Sequence, residues 1–425
     1  MSILFLILTL PITFPAAAKS ASSESSGRID DSKFEMLTTD RIDRLPEPDR
    51  QQWRDYMERS RQHASNERMI LADECRSAGK AKATAAPSNS KEFEPDKDTP
   101  TSWYLTEEAT RLTTTVLSFQ TPTGGWSKSI DYSKGPRSAG THWTSQNGDG
   151  WHYCGTLDNR STTEQIRFLA RVYKHTGNES AKQAAAKGLQ WLFDAQFPNG
   201  GWPQNYPIES GYHEAITLND DAMLHAMEIM LDVAEGEGPF EFTDSETRQR
   251  ACDSFQQALN CLSRMQIRIK GVPAVWCAQH DPLSLAPVSA RKKEPVSLSG
   301  GESTSMLKFL MRRGPPDEQT RAMIEPAVAW LETHRIVGLR KTKNADGKTG
   351  YVPDPSSTEI YWARFYDFET GKPIFAGAED GVIYSTYSEM AEKNRVGYDY
   401  FTTRPKELLE KEVVRWKKRL ETGKR

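Results

Sequence analysis

Gln120–Trp126 reads QTPTGGW and Gln196–Trp202 reads QFPNGGW, two seven-residue segments with Gln, Pro, Gly, Gly and Trp in matching places. A looser third copy, QIRIKGVPAVW, runs from Gln266 to Trp276, giving intervals of 76 and 70 residues. Each interval holds a pair of helices, and self-similarity at such a period marks stacked supersecondary units. Ala181, Ala185, Gly188, Trp191, Leu192 and Gln196 form a stripe at helical spacing that ends just before Pro198 and the glycine pair, so each copy closes a helix. Partner helices lie between the copies. Ser161 and Glu164 have the form of a capping box opening a helix that stops at Gly177. Asn219 suits the N-cap of the run Asp220 to Val233, whose Ala222, Met223, Ala226, Met227 and Met230 make a broad apolar face. Further helices are expected from Glu302 to Met311 and from Pro316 to His334, with Pro316 suited to a first turn. The fold class that follows is all-α, an α/α toroid with long irregular loops. A plain helical bundle leaves the repeated corners unexplained.

Outward from this core the chain changes character. Ile3 to Phe14 is apolar, too short to span a bilayer, and followed at once by Ala16, Ala17, Ala18 and Lys19. Residues 1–18 therefore read as a secretory signal peptide, although no Lys or Arg precedes the apolar run. The expected location is secreted or periplasmic, with no membrane attachment after signal cleavage. Residues 19–80 read as a polar tether followed by a small arm of short amphipathic helices carrying Leu45, Trp53, Tyr56, Met57, Met69 and Leu71. Residues 81–100 have the composition of a linker or covering strap, and the main domain is expected over 101–425. Thr358–Gly377, TEIYWARFYDFETGKPIFAG, suggests a hairpin or strap over one mouth of the toroid, and a charged helix from Arg404 to Leu420 ends the chain.

Of the 425 residues, 37% are hydrophobic and 27% charged, enough apolar content for a substantial core. The net charge of −3 excludes a general basic field for nucleic acid, so an anionic ligand must be held by locally set cations. Five cysteines are too few for a disulfide scaffold and too dispersed for a zinc site. Cys252 and Cys261, nine apart on one expected helix, cannot bridge and read as core residues. The chain is expected to be a monomer.

Polar segments stand immediately before successive helix starts: Asp158 and Asn159; Asn219, Asp220 and Asp221; and Arg291 to Glu302. In a toroid, helices of one ring run the same way, so these segments converge on one rim. Carboxylates and carboxamides there supply hard oxygen donors suited to calcium, although each alone also reads as an ordinary helix cap. Trp126, Trp202 and Tyr206 are either sugar-stacking platforms or core pieces. Lys128 and Arg364 are either solvated charges or carboxylate contacts, the role to which the arginine fork is suited.

The segments TGGWSKSIDY (123–132), TLDNRSTTEQIRFLARVY (156–173), QFPNGGWPQNYP (196–207), ITLNDDAM (216–223), VWCAQHDPLSLAPVSARKKEPVSLSGGES (275–303) and RFYDFETGKPIFAG (364–377) resemble the pectate lyases of polysaccharide lyase family 10. The resemblance implies an (α/α)3 toroid and calcium-dependent β-elimination of polygalacturonate, an acidic polysaccharide. Carried over by motif, Asp158, Asn159 and Asp220 correspond to calcium-site residues and Arg291 to the catalytic base. Lys128, Arg364, Trp126, Trp202 and Tyr206 stand as expected substrate contacts. Two departures are evident: ARKKE (290–294) stands where the family has ARAYE, and GAEDG (377–381) where it has an Arg in a GRDG-like segment. Three other readings compete: a non-catalytic uronate-binding toroid, a prenyl cyclase toroid, and a helical glycoside hydrolase. The cyclases carry an Asp where Leu218 stands here, and a hydrolase would cast Asp158 and Asp220 as its acid–base pair.

Overall fold

The computed structural model describes residues 34–89, 93, 95, 98–145, 154–209, 211–313, 317–343, 349–394, 396 and 399–422. The expected signal peptide and tether, and Pro316, lie outside the described residues. Helices α1 (Thr39–Asp43) and α2 (Asp49–Ser77) precede the toroid, which starts with α3 (Glu107–Ser118). Three helical hairpins follow: α4 (Thr163–Thr176) with α5 (Glu179–Ala195), α6 (Ala222–Glu235) with α7 (Ser245–Met265), and α8 (Gly300–Arg312) with α9 (Glu318–Thr333). In each the two helices pack on one another. One row, α4–α6–α8, forms the inner wall, and α3, α5, α7 and α9 stand outside it. After α9 come the hairpin β1 (Leu339–Lys343) with β2 (Thr349–Pro353) and short strands, α10 (Tyr387–Lys393), then α11 (Arg404–Glu407), a π-helical turn and α12 (Val413–Thr422), which back against α8. The expected toroid is thus the observed architecture.

The repeated corners do repeated work. Gln120 Nε2 donates to its own corner at Gly124 O (2.8 Å) and to Ala184 O of the next outer helix (2.9 Å). Gln196 does the same to Gly200 O and Ser254 O, and Gln266 to Ala274 O and Met323 O. The tryptophan indole of each corner donates back to a carbonyl near the end of the helix just completed: Trp126 to Val116, Trp202 to Leu192 and Trp276 to Leu262. These bonds satisfy carbonyls that a helix end leaves orphaned. A fourth corner, not evident in the sequence, uses Trp362 on Leu331 O in the same way. Gly124 (φ +116°) and Gly200 (φ +95°) take left-handed backbone, and a Cβ on either would run into the backbone of Lys187 or Gln257 on the neighbouring outer helix.

The N-terminal arm differs from the expected string of short helices. After the single short helix α1 it is one 29-residue helix, α2, whose Trp53, Tyr56 and Met57 join the main hydrophobic core. Trp53 and Tyr56 each lie 5.1 Å from Phe197, and Tyr56 donates to Ala195 O at 3.1 Å. Glu67, buried, accepts the Thr123 amide at 3.2 Å. The described part of 81–100 is a covering strap: Thr84 bridges Thr141 and Ser88 bridges Ile130. All five cysteines are free. Cys261 is buried as expected, but Cys252 is exposed, on the outer face of α7. No helix among the described residues is long and apolar enough to cross a membrane.

Candidate active site

Two single 3₁₀ turns, Asp158–Arg160 and Asn219–Asp221, stand directly before α4 and α6 and touch one another. Both are kinked into left-handed backbone, at Asn159 (φ +50°), Arg160 (+62°), Asp220 (+52°) and Asp221 (+60°). Asn and Asp tolerate that region better than other side chains, and held-in strain of this kind collects at functional sites. The kinks also correct the expected caps. No capping box forms at Ser161: the N-cap position is Thr162 (φ +64°), without a side-chain cap bond. The Thr162 hydroxyl instead accepts the Trp126 amide at 3.0 Å and donates to the Trp126 carbonyl at 3.1 Å. Asn219 does not cap α6 either. Its amide nitrogen donates to Asp220 Oδ2 (2.6 Å), and its carbonyl accepts from Arg364 Nη2 (3.1 Å).

Charges converge around these turns. Lys128 Nζ lies 2.5 Å from Asp158 Oδ2, and Arg364 Nη2 lies 3.0 Å from Glu302 Oε1. The Ser299 hydroxyl donates to the other Glu302 oxygen. Burial, followed by the nearby Asp158 and Glu302 carboxylates, raises the Asp220 carboxyl, with Arg364 partly offsetting them. Asp221 is pushed up to about 6, chiefly by burial and then by Glu302. Crowded carboxylates resist ionising together, and a cation relieves them. Behind the rim, burial and then Arg160 and Arg167 push His225 down to about 3, leaving its Nε2 as acceptor for Arg160 Nε at 3.1 Å.

Arg291 lies in a turn closed by Glu294. The Glu294 carboxylate, itself buried, accepts from Arg291 Nε (2.9 Å) and Nη2. Glu294 also acts electrostatically on Asp220, so the ARKKE turn reaches the same rim. Lys292 Nζ donates to the Glu379 carbonyl (3.3 Å), joining the ARKKE turn to the GAEDG turn.

An open cleft of about 2890 Å³ runs along the inner wall, and Asn159, Asp220, Asp221, Glu302 and Arg364 line it. Asp158, Lys128 and Arg291 do not line it: Lys128 is held on Asp158, the neighbour of Asn159, and Arg291 is held on Glu294. Trp126, Trp202 and Tyr206 are fully buried, which corrects the expectation of stacking platforms. Their rings are spent on the corners and on the arm. The aromatic residues that do line the cleft are Tyr351, Tyr361 and Phe401 of the C-terminal part, with Phe93, Trp103, Tyr132 and Phe309 from the rest of the chain. Sequence reading also missed Glu294 and Glu302 as partners of the two arginines. Their spacing from Arg291 and Ser299 is local, but the meeting with Arg364 is not.

Among the described residues, no three His, Cys, Asp or Glu side chains form a metal-holding group. The donor set nonetheless suits a hard cation in part. Asp158 and Asp220 offer carboxylates and Asn159 an amide oxygen at one rim, and an acidic ligand can complete an oxygen shell. Lys128 now occupies one Asp158 oxygen and would share it with such an ion.

Comparison with known proteins bears on this site. A family model described as pectic acid lyase matches residues 120–409. A family 10 polysaccharide lyase from Cellvibrio cellulosa is 29% identical, with a TM-score of 0.62, covering 76% of this chain and 98% of that one. A point mutant of a family 10 lyase from the same organism, in complex with trigalacturonic acid, is also 29% identical at TM-score 0.62, covering 73% and 95%. No curated protein matches the chain.

Proposed function

Because the chain belongs to the pectic acid lyase family and is a polysaccharide lyase, we propose that it is an exported, calcium-dependent pectate lyase. It would cleave (1→4)-α-D-galacturonan by β-elimination and release unsaturated oligogalacturonides. The observation that carries this reading is the meeting of two kinked acidic turns, Lys128 and the Glu302-clamped Arg364 around one rim.

In the elimination, a base takes the proton from carbon 5 of a galacturonosyl unit. The C5–H electron pair becomes the carbon 4–carbon 5 double bond, and the bond from carbon 4 to the glycosidic oxygen breaks, its pair leaving with oxygen. Negative charge builds on the substrate carboxylate as the proton departs, and stabilising that charge is the main catalytic demand. Asp158, Asn159 and Asp220 would hold calcium, which when bound supplies Lewis-acid stabilisation of that carboxylate. Arg364, oriented by Glu302 and Asn219, offers a fixed guanidinium to the same anion. Arg291 is assigned as the base. Glu294 holds Nε and Nη2 on one edge of its guanidinium and so fixes where the group stands. To accept the carbon 5 proton Arg291 must first give up a proton to solvent and react as the neutral guanidine, since the guanidinium has no lone pair. Lys292, reaching the GAEDG turn, returns a cation to the neighbourhood where the family's Arg is missing.

A hydrolase would cast Asp158 and Asp220 as its acid–base pair, and Lys128 Nζ, 2.5 Å from Asp158 Oδ2, already engages one of the two. The deciding assay is ultraviolet absorbance of unsaturated product from polygalacturonate, with calcium added and then chelated. Saturated reducing ends without absorbance would overturn the reading in favour of hydrolysis, and binding without any product would favour a non-catalytic toroid.

A further inference from the structure

Two cations on the cleft wall lie outside every motif that carries the family resemblance. Arg404 is the first residue of α11, at the head of a helical run that continues to Thr422. Lys341 sits in β1, paired with β2. Both line the cleft and both are exposed. Among the described residues neither closes a salt bridge. By contrast Arg160, Arg167, Arg312 and Arg313, on the same cleft, are paired with Glu164, Asp232, Glu412 and Asp317.

The position of Arg404 is electrostatically adverse. The first turn of a helix carries the positive end of its dipole, so a cation there is disfavoured unless an anion stands in front of it. Asp221 is within electrostatic reach, but it sits in a crowd of carboxylates that already draws on Arg364. Arg404 and Arg364 each follow closely on one of two paired strands. Thr402 pairs with Trp362, and the Arg364 amide donates to Tyr400 O at 2.8 Å. Lys341 extends the same wall, its Nζ 5.9 Å from the centre of the Tyr351 ring.

We infer that Arg404 and Lys341, together with Arg364, form a row of carboxylate contacts that grips successive uronate units of the chain beyond the elimination centre. A polyuronate presents one carboxylate per ring, so a row of cations matches its repeat, whereas a neutral glucan offers it nothing. The identity of the ligand rests on the lyase reading; the existence of an anionic subsite rests on two exposed, cleft-lining cations that close no salt bridge among the described residues.

The test uses the full chain with Arg404→Ala, Lys341→Ala and the charge-keeping Arg404→Lys, checked for folding by thermal melting. Affinity for polygalacturonate is measured by gel retardation over a range of salt, with product absorbance followed in parallel. Each alanine variant should bind about fivefold more weakly, with a shallower salt dependence, and Arg404→Lys should regain most of the loss. Equal affinity of wild type and both alanine variants would overturn the inference, as would failure of the wild type to bind. Weaker binding in the variants without any unsaturated product from the wild type would uphold the subsite while sinking the lyase reading.

Discussion

The buried carboxylate of Glu294 holds the solvent-facing guanidinium of Arg291 by two side-by-side bonds, and the Glu294 amide closes the same turn on the Arg291 carbonyl at 2.7 Å. The position of the arginine is therefore set by a neighbour three residues on, independently of substrate. Arg291→Ala is expected to lower kcat by about 10²- to 10⁴-fold, the usual contribution of a positioned base. Glu294→Gln keeps the shape but loosens the fork, and should lower kcat about tenfold with little change in KM. Progress curves of unsaturated product check both. If Arg291→Ala stayed within tenfold of wild type, the base would have to be sought elsewhere.

The two kinked turns predict how the protein responds to loss of calcium. Excess chelator should abolish product formation, and added calcium should restore it. Asp158→Asn and Asp220→Asn should each raise the calcium concentration needed for half-maximal rate by about 10- to 100-fold. The melting temperature gives a second reading, since a bound ion at 100 times its Kd stabilises by about 2.7 kcal/mol. A rate indifferent to chelator in the wild type would remove calcium from the mechanism.

What could be read from the chain follows from where each side chain's partner lies. Gln120 and Gln196 make the same two bonds to equivalent places, so their spacing survives in sequence as a repeat. Trp126 and Trp202 were ambiguous because an indole in a groove and an indole sealing a helix end are the same residue; only packing separates them. Asn219 looks like a cap locally, yet its amide is claimed by Arg364, 145 residues later. Trp53 lies in a charged stretch that gives no sign of Phe197, its partner across the molecule.

Glu214 predicts a pH effect on stability. Its buried carboxylate accepts the Leu37 amide at 2.6 Å, pinning the start of the arm beside the turn that leads into the site. Burial pushes its pKa up to about 7, against the opposing pull of Leu37 N–H and Arg41. The folded state thus binds a proton that the unfolded chain has lost above its ordinary value of 4.5. Stability from this group is complete below about pH 4.5 and falls as pH rises toward 7, by up to about 3 kcal/mol. Glu214→Gln should flatten that part of the curve, seen as a smaller drop in Tm between pH 5 and pH 8. Parallel Tm curves for the two proteins would show that Glu214 is ionised in the fold.

The buried corners predict that Trp202 and Gln196 govern stability and leave ligand affinity alone. Trp202→Phe removes the indole bond to Leu192 O and leaves unfilled volume in a fully buried site, a loss of about 2–4 kcal/mol. Gln196→Ala strands the carbonyls of Gly200 and Ser254, costing about 1–3 kcal/mol. Both variants should melt lower while binding polygalacturonate as the wild type does at a temperature where they are folded. The opposite pattern, an unchanged Tm with affinity weakened fivefold or more in Trp202→Phe, would mean that the ring reaches a sugar after all, and that the corner opens in solution enough to expose it.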